Sequence, residues 1–166
     1  MPTRCDLTYI IVAHSAIPRF NMDLTIDWAI EMLRLGYDTP SLLILAGISK
    51  PTNYSETYQY LKATLKEMHL EEKTGIPAIA SCCTYYIRKI ASNTEVEKNL
   101  HSLINNYYHD EFDAFISDFY LLYWALDELY YTGDQHYWPG AHAGNIASLI
   151  VQTAEQWLIE NKVSLL

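Results

Sequence analysis

Apolar positions along this chain recur mostly at helical spacing. The clearest stretch runs from Asp23 to Gly47, DLTIDWAIEMLRLGYDTPSLLILAG. Ile26, Ala29, Ile30, Leu33 and Leu35 fall mainly on one side of a 3.6-residue wheel, and Asp27, Glu31 and Arg34 occupy the other. Gly36 can take the left-handed conformation that ends a helix. Thr39 is placed to cap, and Pro40 to pre-set the first turn of, a second short helix. SLLILA is apolar almost all round, which predicts a helix enclosed on most sides and stopped by Gly47. An amphipathic helix, a tight turn and a buried short helix form a corner on which other helices can pack.

The rest of the chain repeats this grammar. In Asp6–Ile17, Tyr9, Ile10, Ile11 and Val12 would suit a strand, but no second strong strand follows to pair with it. Unpaired backbone donors are costly, so a helix ending near Pro18 is expected. Asn53 or Ser55 caps a helix to about Leu70, with Tyr58, Leu61, Leu65 and Met68 inward and Lys62, Lys66, Glu67 and Glu71 towards water. Thr74–Pro77 opens another through Ile90, with Ile79, Cys82, Cys83, Tyr86, Ile87 and Ile90 on its apolar side. Thr94-x-x-Glu97 has the form of a capping box and opens a helix to about Tyr108. Asp110–Tyr131 is the longest helical pattern, with Phe112, Phe115, Phe119, Leu122, Leu126 and Leu129 on its core side. Thr132-Gly133-Asp134 ends it and Tyr137–Gly140 forms a turn. A last helix is expected from Ala141 to about Asn161, carrying Ile146, Leu149, Ile150, Thr153, Trp157 and Leu158 inward. The expected fold is all-α, a single-domain bundle over residues 1–166 of about seven or eight helices with short loops. Ile30, Leu33, Leu43, Leu45, Leu61, Leu65, Phe119 and Leu126 are expected in its core.

Composition narrows the class further. Half the residues are apolar, enough for a real core and too many for disorder. No apolar run reaches the roughly 18–20 residues that span a bilayer. The apolar run Leu7–Ala13 is short, is interrupted by Tyr9 and is followed by His14 and Arg19, so it is read as folded structure and not as a signal peptide. The three cysteines, two of them the adjacent Cys82 and Cys83, form no disulfide framework and suit a reducing cytosol. The net charge of −9 is unevenly placed. Residues 99–161 contain no Lys or Arg and nine acids: Asp110, Glu111, Asp113, Asp118, Asp127, Glu128, Asp134, Glu155 and Glu160. Such a field repels nucleic-acid backbones and anionic membranes and attracts a basic protein partner.

Candidate chemistry concentrates in the same region. Asp113, Ser117, Tyr120, Trp124, Asp127 and Tyr131 follow steps of three and four, so they share a second stripe of the long helix. Carboxylates pair with guanidinium groups, and Tyr and Trp rings add stacking and cation–π contact of about 0.5–2 kcal/mol each. Asp113, Tyr120, Trp124, Asp127, Glu128, Tyr131 and Asp134 are therefore the candidate partner-binding residues, with Tyr130–Trp138 the neighbouring surface. The competing reading packs Tyr120 and Trp124 under another helix and leaves the acids as a solvated face. The alternative function is an enzyme or small-ligand protein with a polar pocket around Asp127, His136 and His142. Asp134, His136 and His142 could in principle ligate Zn or Fe, but no HExxH or paired CxxC pattern supports this. Tyr85-x-x-x-Lys89 matches the Tyr/Lys spacing of short-chain dehydrogenases without the Gly-rich loop that should accompany it. No G-x-S-x-G, P-loop or EF-hand loop is present. No catalytic residue, metal ligand or cofactor is assigned.

The stretch Trp28–Met68 carries a resemblance: WAIEMLRLGYDTPSLLILAG, a Pro-containing loop, then a helix with an acid near its start, Glu56. It resembles small bacterial all-helical proteins of the toxin-immunity class. The resemblance implies a non-enzymatic protein that binds and neutralises a toxin. It covers about a quarter of the chain and is a packing motif, so it assigns no functional residue. An acidic, aromatic face is what a binder of a basic toxin would need.

Overall fold

Trp28 has no solvent exposure, and a buried indole needs a partner for its N–H. It donates to the Thr8 hydroxyl at 3.0 Å. That bond ties together two of the helices seen in the computed structural model, which describes residues 4–108 and 113–162. Among the described residues there are eight α-helices, one 3-10 turn at His14–Ala16 and no strand, so the fold is all-α. The helices are α1 (Leu7–Ile11), α2 (Asp23–Arg34), α3 (Pro40–Ala46), α4 (Tyr54–Glu67), α5 (Gly75–Ala91), α6 (Val96–Tyr107), α7 (Asp113–Thr132) and α8 (Ile146–Glu160). None among the described residues is long and apolar enough to cross a membrane. The chain packs as two compact units, one up to Cys82 and the other Cys83–Lys162.

In the first unit α1 packs on α2, α2 on α3 and α3 on α4. Its core joins Ile11, Val12, Met22, Ile26, Trp28, Ala29, Met32, Leu42, Leu45, Leu61 and Leu65. The corner forms as its pattern predicts, with Gly36 at φ 90°. Three details differ. The first segment is a five-residue helix and a separate 3-10 turn, not one helix to Pro18. The His14 Nδ1–H takes the Ile11 carbonyl at 2.9 Å and the Lys73 amide takes that of Val12 at 2.6 Å. Both carbonyls would otherwise continue the helix. Second, α3 is not enclosed on most sides: Leu42 and Leu45 are fully buried, but Leu43 and Ile44 are 54% and 48% exposed. A helix resting on α2 and α4 along one side buries positions three apart and turns the others to water. Ile30 and Leu33 are half-buried. Third, Thr39 makes no side-chain cap to α3. Glu67, exposed to water as expected, also reaches across from the last turn of α4. Its carboxylate accepts from the Ser41 amide at 3.0 Å and the Ser41 hydroxyl at 2.7 Å. A carboxylate is favoured at that end by the helix dipole. These bonds hold the Glu67 carboxyl below its ordinary value. Asp23 does the same for the loop before α4, accepting from the amide and hydroxyl of Thr52, each at 2.9 Å, with the same downward effect on its own carboxyl.

In the second unit α6, α7 and α8 pack on one another in every pairing. Leu100, Leu103, Phe119, Leu122, Ala125, Ile146, Ile150 and Ala154 are buried, and Leu126 is half-buried. The capping box at Thr94 does not form. Glu95, in the left-handed region at φ 40°, occupies the cap position of α6, and the side chain of Asn99 donates to the Thr94 carbonyl at 2.8 Å. Glu97 is thereby left free of its own helix end. The start of the long helix at Asp110, and Phe112 with it, lie outside the described residues. Within α7 the backbone leaves helical values at Ile116 (φ −128°, ψ 23°). The adjacent Phe115 carbonyl accepts from the Trp157 indole at 2.8 Å, an insertion into the helical ladder of the kind that bends helices. The last helix begins at Ile146, not Ala141. Asn145 accepts from the His142 amide at 2.8 Å and donates to the Gly140 carbonyl at 3.0 Å, which holds that stretch as turns.

Two outcomes are expected. Leu45→Ala should cost about 2–5 kcal/mol in urea unfolding and Leu43→Ala less than about 0.5 kcal/mol, because only the first leaves a cavity. Glu67 has a depressed carboxyl, so its contribution is present in full above its ordinary pKa of 4.5 and is lost as pH falls below that through the folded value. Glu67→Gln should lower the melting temperature at neutral pH and flatten its decline in acid, read by circular dichroism.

Candidate functional site

The second unit contains eleven acids against four Lys and Arg, so its surface is where unneutralised charge must sit. Beside the start of α6, the end of α7 forms a pocket of about 230 Å³. It is lined by Glu97 and His101 from α6 and by Tyr123, Leu126, Asp127, Tyr130 and Tyr131 from α7. Helical spacing builds both walls: Glu97 and His101 are four apart, as are Tyr123 and Asp127. The His101 ring stands edge-on to Tyr123 with centroids 4.9 Å apart, and its Nδ1 accepts from the Asn105 amide at 3.0 Å. Burial first, then the Asp127 carboxylate and Tyr131, push the Tyr123 phenol above its ordinary value. Its phenol can donate a hydrogen bond. Tyr130 and Tyr131 form the rim, 83% and 75% exposed.

The candidate stripe divides into two groups. Tyr120 and Trp124 are half-buried and belong to a ring stack. Tyr108 lies flat on Tyr120 at 4.0 Å, and Trp124 touches Tyr120, Tyr123 and Tyr137 at 6.2, 5.2 and 6.3 Å. Asp127 and Tyr131 open instead into the pocket. Ser117 is half-buried, and the side chain of Asp113 lies outside the described ones. Glu128 serves the loop that follows: it accepts from the His136 amide at 3.0 Å and lies 3.4 Å from the His136 ring. Asp134 accepts from the Gln135 amide at 2.8 Å.

The polar pocket expected around Asp127, His136 and His142 differs from the one that Asp127 lines, to which neither histidine contributes. Asp127 shares its pocket with Glu97 and His101, while His136 is held by Glu128. The His142 ring folds back on its own turn, where its Nδ1 accepts from the Gly144 amide at 3.1 Å. Among the described residues no three His, Cys, Asp or Glu side chains come close enough to hold a metal ion.

No family model, curated protein or solved structure matches this chain. The site is therefore defined by its own geometry.

Four residues of that geometry were missed in the sequence: Glu97, His101, Tyr123 and Gln135. The pairs four apart on two neighbouring helices were a signal for the first three, masked by assigning Glu97 to a capping box. Gln135 organises the loop. Its amide nitrogen donates to the carbonyls of Trp138 and Ala141 at 2.7 and 3.0 Å, and its oxygen accepts from the amides of Tyr137 and Trp138 at 3.0 and 2.8 Å. Four bonds from one side chain place Tyr137 against Trp124. Gln135→Ala should speed amide hydrogen exchange at Tyr137 and Trp138 by at least about tenfold, while amides within α6 and α8 keep their protection.

Proposed function

We propose that this chain is a non-enzymatic, cytoplasmic protein-binding protein that occludes a basic protein through the acidic tyrosine-rich face of α6 and α7, in the manner of an immunity protein towards a basic toxin. The observation that carries this reading is the rim. Two neighbouring tyrosines are more than two-thirds exposed beside carboxylates that no Lys or Arg of the surrounding sequence neutralises. Exposed, paired aromatic rings are the residues that dominate interface energies, and their burial by a partner is favourable. Tyr130 and Tyr131 meet edge to face with ring centroids 5.1 Å apart, so they present one joined aromatic surface. The field of the second unit would draw a basic surface towards this face and orient it before contact. The resemblance over Trp28–Met68 adds the toxin-immunity class to this picture.

On this reading the gene beside this one is expected to encode a basic toxin, and the test pairs the two proteins. Co-expression should restore growth, and the purified pair should bind more slowly as ionic strength rises. Asp127→Lys should abolish protection by slowing association. Tyr131→Ala should mainly speed dissociation and cost about 2 kcal/mol or more. Undiminished protection by both folded variants would remove this face from function.

A further inference from the structure

The α6–α7 pocket is concave, polar at its sides and aromatic at its mouth, and its contents specify an occupant. Resting on the protein-binding reading above, we infer that it receives a single arginine side chain of the partner. Its volume of about 230 Å³ has room for one long side chain. Two carboxylates from different helices, Glu97 and Asp127, line it, and no Lys or Arg does. The cation nearest in sequence, Lys98, turns to Glu95 at 2.8 Å. Among the described residues neither Glu97 nor Asp127 has an ion-pair partner or receives a hydrogen bond. Two carboxylates at one cavity make a cation its natural complement.

The chemistry of the walls selects the cation. The pocket contributes one imidazole and two carboxylates, yet these do not converge closely enough to hold a metal ion. Tyr123, Tyr130 and Tyr131 line it with aromatic rings, and Leu126 adds apolar surface for an aliphatic stem. A guanidinium is planar, weakly hydrated and forked; it can address carboxylates on two helices while stacking on a ring. A compact, strongly hydrated ammonium does this less well. A free small cation would leave the rim of Tyr130 and Tyr131 uncovered, whereas an arginine presented by a protein brings a surface to cover it.

The experiment is an NMR titration of the full chain with N-acetyl-arginine-N-methylamide, its citrulline isostere and its lysine counterpart. Saturable shifts at Glu97, Tyr123, Asp127 and Tyr130 are expected with the arginine probe, at a Kd roughly in the millimolar range. The lysine probe should bind about fivefold more weakly and the neutral citrulline probe not at all. Glu97→Gln and Asp127→Asn should each weaken the arginine probe by about three- to tenfold with unchanged circular dichroism. Equal shifts from citrulline, equal or tighter binding of lysine, or no saturable shift at these residues would each overturn the assignment. Should the arginine probe fail while Asp127→Lys still abolishes protection, the arginine pocket is wrong and the protein-binding reading stands. Should the arginine probe bind while Asp127→Lys leaves protection intact, the protein-binding reading is wrong and the pocket serves a free guanidinium compound.

Discussion

Residues 99–161 carry carboxylates and no Lys or Arg of their own, and the behaviour of the second unit follows from that constraint. Where a carboxylate can be used locally, it is. Glu128 takes the His136 amide, and Asp134 takes that of Gln135. Where it cannot, as at Asp127, charge is left at a cavity, together with Glu97 from the preceding helix. The first unit meets the opposite situation with the same chemistry. Asp23 and Glu67 are spent on backbone amides across helix boundaries, and these bonds close the α2–α4 corner. One carboxylate chemistry thus does two jobs. Bonded to amides it is architecture, and unbonded in an aromatic pocket it is what the proposed binding would use.

The helices themselves were legible in the sequence because periodicity reports which side of a helix is apolar. α2, α4 and α6 lie close to where their stripes place them, and Leu45, Leu61, Leu65 and Phe119 are buried as that pattern requires. Periodicity does not report how many neighbours a helix has. SLLILA is apolar on all sides, yet α3 packs along one side and leaves Leu43 and Ile44 in water. Helix ends were legible only where the capping group is adjacent in sequence. Asn53 accepts from the Glu56 amide, as a local cap should. The group at the start of α3 comes from Glu67, twenty-six residues away, and no local motif encodes it.

The site was legible in its composition and not in its assembly. An acidic, aromatic region marked α7 as the candidate helix, and Asp127 and Tyr131 line the cavity beside it. A stripe drawn on one helix cannot say which of its members a neighbour covers. The ring stack takes Tyr120 and Trp124 out of full exposure, and the second wall of the pocket comes from α6. Glu97 had been given a local task at its own helix end, and only the left-handed backbone at Glu95 releases it from that task.

Rigidity links these features to binding. An interface made of tyrosines on a loose loop would lose much of its contact energy to ordering them. Here the rim residues sit in the last turns of α7, and the segment beyond is fixed by Gln135 through four hydrogen bonds and by Tyr137 against Trp124. Thr132 adds a further tie: its hydroxyl lies 2.9 Å from the carbonyls of both Glu128 and Asp134 and shares its one proton between them. The hydroxyl closes the helix end where no cation is present to do so. A negative field at a helix C-terminus is unfavourable, since that end already carries partial negative charge. Asp127, Glu128 and Asp134 lie in the last turns of α7 or just beyond it, so a basic partner arriving there would offset that cost. A helix end held by these bonds is the form that a preformed docking site for a basic partner would take.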